Sequence, residues 1–129
     1  MDSFLSSLLR TRGSQVVLKD VDAGTVVATT VEGAFDSASR RHGLLGRNEF
    51  ADGSALIIAP SSAIHTFFMR ITIDVVFVSR DGRVLKTYAD LRAWRLAFAL
   101  GAYAAIELPV GTLTRSLTTR GNRLVLTPR

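Results

Sequence analysis

A chain of 129 residues, 47% apolar and 21% charged, is long enough to bury one self-sufficient core and too apolar to be a disordered tail. It has no cysteine, which excludes a disulfide framework, a thiol nucleophile and any cysteine-ligated zinc or iron–sulfur centre. The net charge of +5 is carried by the second half: residues 1–64 hold six Arg/Lys against seven Asp/Glu, and residues 65–129 hold ten against four, a distribution that favours anionic partners.

In chain order, residues 1–13 read as a flexible or docked leader, with Phe4, Leu5, Leu8 and Leu9 at helical spacing and Gly13 as a stop. Residues 14–129 read as a single domain. Gln15–Lys19 and Thr25–Val31 are β-branched runs around an Asp/Gly turn, a hairpin. Asp36 or Ser37 then caps a short helix through Ala38, Arg41, Leu44 and Leu45, which Gly43 and Gly46 bring to an end. Ala55–Ala59 is a buried strand stopped by Pro60. Ile64–Met69 and Ile73–Ser79 are extended, and Asp81-Gly82 turns the chain into a partner strand, Arg83–Leu91. Ala93–Gly101 fits a helical turn or a meandering loop equally well. Tyr103–Leu108 is a strand, Pro109–Thr118 a short helix entered at the glycine, and Arg123–Thr127 the last strand. The expected fold is α+β and mostly β: about seven strands, largely antiparallel, in a curled or barrel-like sheet with two short helices. Without βαβ alternation or a glycine-rich phosphate loop, a doubly wound nucleotide-binding fold is not expected.

Chemistry concentrates in Ile64–Ser79. A straight strand would put His65 and Met69 on one face and Thr66, Arg70 and Asp74 on the other. A kink at Arg70-Ile71-Thr72 would gather His65, Arg70 and Asp74 into one polar pocket, where a guanidinium and an imidazole suit an anion. The structural alternative is that Asp74 accepts backbone N–H bonds at the bend or pairs with Arg70. Trp94-Arg95 offers a stacking platform at the rim, or a lid over the core. Glu107 is an acid in an otherwise apolar strand, and with Asp74 or His65 it makes an acid/base combination. His42 suits the end of the first helix, where the dipole favours a cation. Two separated histidines give no zinc-ligand spacing.

Gly43-Leu44-Leu45-Gly46-Arg47, Ile64 to Arg70, Ile73 to Phe77, Asp81-Gly82-Arg83-Val84, Trp94-Arg95, Gly101-Ala102 and Glu107 to Gly111 together resemble, in order, the DUF192 family of bacteria and archaea over residues 15–127. The resemblance implies a compact, mostly β domain with two short helices and no defined activity. It carries over His65, Thr66, Met69, Arg70, Asp74, Glu107 and Gly111 as the family's recurrent residues. Three positions depart from the pattern: Thr72 replaces a frequent kink proline, Ser61 stands where many relatives have cysteine, and Gly121-Asn122 replaces Gly-Asp. A thiol-dependent role is thereby set aside.

The expected function is a non-enzymatic module that binds a small polar or anionic ligand, or a protein partner's carboxylate, through His65, Thr66, Met69, Arg70, Asp74, Trp94 and Arg95. A hydrolase or transferase using His65 with Asp74 or Glu107 is the alternative, and docking through the leader or a strand edge is a third. No cofactor and no metal are expected. Scattered arginines without interleaved aromatics argue against specific nucleic-acid binding. A start without a basic segment and long apolar core, and no uncharged stretch reaching ~20 residues, point to a cytoplasmic protein without a membrane partner.

Overall fold

Two six-residue runs, Ile73–Val78 and Ala104–Pro109, are buried along their whole length. Strands without an exposed face must be covered on both sides, and that requirement organises the molecule. The computed structural model describes residues 4–6 and 16–129. Its elements are β1 (Val16–Asp20), β2 (Thr25–Ala28), β3 (Thr30–Ala34), α1 (Ser37–His42), β4 (Ser54–Ile58), β5 (Ala63–His65), β6 (Ile73–Val78), β7 (Val84–Leu91), β8 (Leu96–Phe98), β9 (Ala104–Pro109), α2 (Thr112–Ser116) and β10 (Leu124–Pro128).

The central sheet has the order β3-β4-β9-β6-β7, and β9 and β6 are its middle. One face packs on the three-stranded sheet β10-β1-β2. Between them lies a core of Val16, Leu18, Val27, Ile57, Val76, Ile106, Leu108 and Leu124, into which Phe4 and Leu5 of the leader also fit. The other face is covered by the end of α1 and by the two-stranded sheet β5-β8, around Leu44, Leu56, Met69, Ile73, Val75, Phe77, Ala97 and Ala105. Strict alternation along β6 and β9 sends each residue to one core or the other.

Among the described residues the architecture is mostly β with two short helices, but it departs from expectation in three ways. The described residues form ten strands rather than about seven. The sheets form layers and do not close into a barrel. The sheet is mixed, because β3 and β4 run parallel, with α1 in the connection between them. The extra strands arise partly because Thr25–Val31, read as one run, changes sheets at Thr29. The carbonyl of Gly53 accepts hydrogen bonds from both Thr29 N (2.8 Å) and Thr30 N (3.0 Å), which ends one ladder and begins the other. Ala93–Gly101 supplies β8, and Ile64–Met69 keeps strand pairing only to His65. The leader's expected helix lies outside the described residues beyond Phe4–Ser6.

Other local readings hold. Asp36 caps α1, its carboxylate accepting from Ser39 N at 2.7 Å. Gly43 ends the helix, and Gly111 enters α2. At the Asp81-Gly82 turn the glycine has φ +88°, and a Cβ there would collide with the carbonyl oxygen of Leu124, so close passage of the last strand requires glycine.

Candidate functional site

Each central strand buries one acid, and the two acids face opposite ways. In the β6–β9 ladder Asp74 lies opposite Leu108 and Val75 opposite Glu107, so Asp74 shares a face with Leu108 and Glu107 shares the other with Val75. The sheet separates them, and an acid/base pair of Asp74 with Glu107 is ruled out.

Asp74 is 1% exposed, and its carboxylate is spent on backbone. Oδ1 accepts from Asp90 N at 3.0 Å, and Oδ2 accepts from Gly111 N at 3.1 Å and Leu113 N at 2.9 Å. Gly111, at φ +92°, begins α2 without a side-chain cap of its own, so a residue nearly forty positions upstream supplies the acceptor for the first turn. Asp74 thus ties β6, β7 and the start of α2 together. It does not meet Arg70, whose guanidinium donates to Asn48 Oδ1 at 3.1 Å on the surface. The expected pocket of His65, Arg70 and Asp74 does not form, because the turn through residues 66–72 sends Arg70 outward while the parity of β6 sends Asp74 into the first core. We therefore expect Arg70→Ala to change unfolding free energy by less than about 0.5 kcal/mol in a urea titration, as for other exposed side chains. A buried ion pair would have cost several times more.

Glu107 is the opposite case. It is 3% exposed, Oε1 has no hydrogen-bond partner, and burial pushes its pKa up to about 7, with Arg47 pulling modestly the other way. Arg47 itself bridges Glu32 at 3.1 Å. Glu107 lies on the floor of a cleft of about 550 Å³, within the usual range for small-molecule sites. The walls are α1 with the turn after it (Ser37, Arg40, His42, Gly43) and the segment from Pro60 to Met69, including Ser61, Ser62 and His65. Arg40 is anchored by bonds from Nη1 to Phe35 O (2.7 Å) and Ala59 O (3.5 Å), which fixes a positive charge in the wall.

Of the residues singled out by sequence as candidates for chemistry, His42, His65, Met69 and Glu107 line this cleft. His65 is exposed, and its Nδ1 accepts from Phe67 N at 3.2 Å, leaving Nε2 as the donor of the neutral ring. Thr66 is fully buried and joins two loops: Oγ1 donates to Arg92 O at 2.5 Å and accepts from Arg95 N at 2.9 Å, while its carbonyl accepts from Trp94 N at 3.0 Å. Trp94 packs against Phe68, ring centres 4.5 Å apart, and against Phe67 at 5.7 Å. It is 56% exposed, so it is an outward ring and not a lid over the core. The Arg95 guanidinium turns back to the carbonyls of Ala93 and Trp94. The sequence reading misses Arg40 and takes Ser37 only as a helix-cap candidate. Pro60-Ser61-Ser62 directly after a buried strand was the available signal, since that is where a chain leaves a sheet at a crevice.

Among the described residues no three His, Asp or Glu side chains gather as a metal-ligand set. No described helix is long and apolar enough to cross a membrane. What the cleft can do is accept a hydrogen bond at Glu107 when ionised, donate one when protonated, and present Arg40 and His65 to an acceptor.

The model of a family described as an uncharacterised ACR, DUF192, matches residues 18–126. None of the curated proteins matches the chain. Two solved structures share the fold. A protein of unknown function from Novosphingobium aromaticivorans superimposes with a TM-score of 0.73 at 24% identity over 85% of this chain and 82% of that one. A Sinorhizobium meliloti chain, whose name suggests a transcription regulator, superimposes with a TM-score of 0.75 at 21% identity over 85% and 90%.

Proposed function

The chain belongs to the DUF192 family, which carries no assigned activity, and from its cleft we propose that it is a binding module for a small polar molecule. The observation that carries this reading is the buried, unpartnered Oε1 of Glu107 on the floor of the cleft. An unsatisfied buried oxygen costs about 1–3 kcal/mol, which a ligand donor placed against it recovers. The ligand this favours has a hydroxyl, amide or ammonium group at one end for Glu107. At its other end it has a carboxylate or phosphate for Arg40 and His65. That retains the polar or anionic class expected from sequence and moves the site to the other side of the sheet from Asp74.

The test is a thermal-shift screen of small amino acids, hydroxy acids and phosphorylated metabolites, followed by calorimetry of the hits. Wild type is expected to bind at least one compound, and Glu107→Gln to bind it at least tenfold more weakly while melting no lower. Undiminished binding by Glu107→Gln sinks the reading. Acid–base catalysis is a second reading, favoured by a carboxyl that titrates near neutrality in the same cleft as His65. Turnover of the bound compound that is lost in His65→Ala would establish it.

A further inference from the structure

We propose that the face formed by Phe68, Trp94, Leu96, Phe98 and Leu100 docks an acidic segment of another polypeptide, anchored by apolar side chains. None of these five residues lines the Glu107 cleft, which the face adjoins through Phe67 and His65. Strands of a layered fold turn their large apolar residues inward, and β8 with its flanks does the reverse. Ala97 and Ala99 are buried at 1% and 5%, while Leu96, Phe98 and Leu100 are exposed at 69%, 56% and 91%. Trp94, before the strand, is exposed at 56%, and Phe68 stands against it at 68%. Five such side chains leave about 600 Å² of apolar surface uncovered, the top of what a monomer ordinarily shows and near one partner's share of a standard interface.

The display is built into the backbone. Phe68 and Trp94 both have φ +65°, a region that bulky residues seldom occupy. Both are held there through Thr66, whose carbonyl accepts from Met69 N and Trp94 N and whose hydroxyl bonds Arg92 O and Arg95 N. Tyr88 fixes the far end, its hydroxyl donating to Phe98 O at 2.8 Å and accepting from Phe98 N at 3.0 Å. Positive φ at two bulky residues whose rings face outward is backbone strain of the kind that gathers at binding sites.

Charge selects the occupant. Lys86, Arg95 and Arg120 flank the face, and among the described residues none of the three is paired with a carboxylate. Asp90 is the one acid in the stretch from Lys86 to Leu100. Lys86 and Arg120 also flank a groove of about 560 Å³ that contains Phe98 and Leu100. A second copy of this chain would bring like charges together. A bilayer would have to take in Lys86, whose ammonium lies within the apolar face, 4.5 Å from the Phe98 ring centre and 4.9 Å from that of Tyr88. Single-stranded nucleic acid would stack on Trp94 and Phe68 but has no use for Leu96 and Leu100. An acidic peptide with apolar anchors satisfies both the apolar residues and the cations.

The experiment is selection from a random peptide display library on the intact protein, read afterwards by the fluorescence of Trp94, the only tryptophan of the chain. Enrichment of sequences with Asp or Glu beside aromatic or branched residues is expected, with a blue shift of Trp94 on binding. Leu96→Ser/Leu100→Ser and Lys86→Glu/Arg120→Glu should each weaken the selected peptides at least tenfold while melting within a few degrees of wild type. No enrichment, enrichment without acidic residues, or undiminished binding by the folded variants would overturn the proposal. So would a stronger Trp94 response to phosphatidylglycerol vesicles or to a single-stranded oligonucleotide, or self-association in sedimentation that Leu96→Ser/Leu100→Ser abolishes.

Discussion

Asp74→Ala should unfold at a temperature about 10 °C below wild type. The carboxylate accepts three backbone N–H bonds, from Asp90, Gly111 and Leu113, and alanine removes all three acceptors at once. Leu113 is buried, so its N–H has no ready water to replace the lost oxygen. Asp90 and Gly111 are exposed and can be partly rehydrated. A buried donor left unmade costs about 1–3 kcal/mol, and bonds to a charged acceptor are at the upper end, so the total should be about 3–4 kcal/mol. At roughly 3 °C per kcal/mol for a chain of this size, that gives the stated fall. Asp74→Asn keeps the shape but turns one donor toward another, and should recover less than half of the loss. A melting point within about 2 °C of wild type for Asp74→Ala would mean that this carboxylate does not hold the three segments together.

Glu107 makes stability depend on pH in the less usual direction. Its pKa in the folded chain is about 7, against an ordinary value of 4.5, because burial disfavours the charge. Between those two values the folded state keeps a proton that the unfolded chain has released. Folding therefore takes up a proton, and stability falls as pH rises through this window. Below 4.5 both states are protonated and the contribution is complete; above 7 both are ionised and the slope vanishes. At 1.36 kcal/mol per pH unit the loss across the window is about 3 kcal/mol. Glu107→Gln removes the titration, so its unfolding free energy should lack this decline and should exceed that of wild type by about 2–3 kcal/mol above neutrality. Parallel profiles for the two proteins in urea titrations from acid to alkaline pH would show that Glu107 is not the group responsible. A gain in stability from removing an acid would also indicate that the acid is kept for something other than folding.

Much of the local structure was legible because it depends on residues close in sequence. Asp36 or Ser37 reads as a helix cap, Asp81-Gly82 as a turn and Gly111 as the start of a helix; Asp36 is the cap, and the turn and the helix start behave as read. The runs around Val75 and Ile106 read as strands because little but apolar side chains fills them, and both are buried along their whole length. What failed depends on partners far away along the chain. Nothing in Thr25–Val31 says that Gly53 will accept from both Thr29 and Thr30 and divide the run. Nothing in β3 and β4 says that they pair in parallel. Phe68 and Trp94 carry no mark of a positive φ, since the constraint comes from Thr66 and the loops it joins. Both acids were singled out, because an acid in an apolar run is conspicuous. Their separation onto opposite faces required the register of β6 against β9, which puts Val75 and not Asp74 beside Glu107. That Asp74 is saturated and Glu107 is not could be learned only from their surroundings.

The parallel pairing of β3 and β4 bears on how this family can diversify. Both strands end on the same side of the sheet, and the cleft opens there: α1 leaves the end of β3, and Pro60 to His65 leaves the end of β4. Crevices beyond the carboxyl ends of parallel strands are the usual binding places of α/β sheets, and a mostly antiparallel domain has acquired one through a single crossover. The walls are then connecting segments, whose length and side chains can change without disturbing the ladder, while the floor belongs to β9 in the middle of the sheet. Relatives can therefore be expected to differ most in residues 37–42 and 60–63, outside the recurrent motifs, while retaining an acid at the position of Glu107, which would let one scaffold recognise a series of molecules through a common donor.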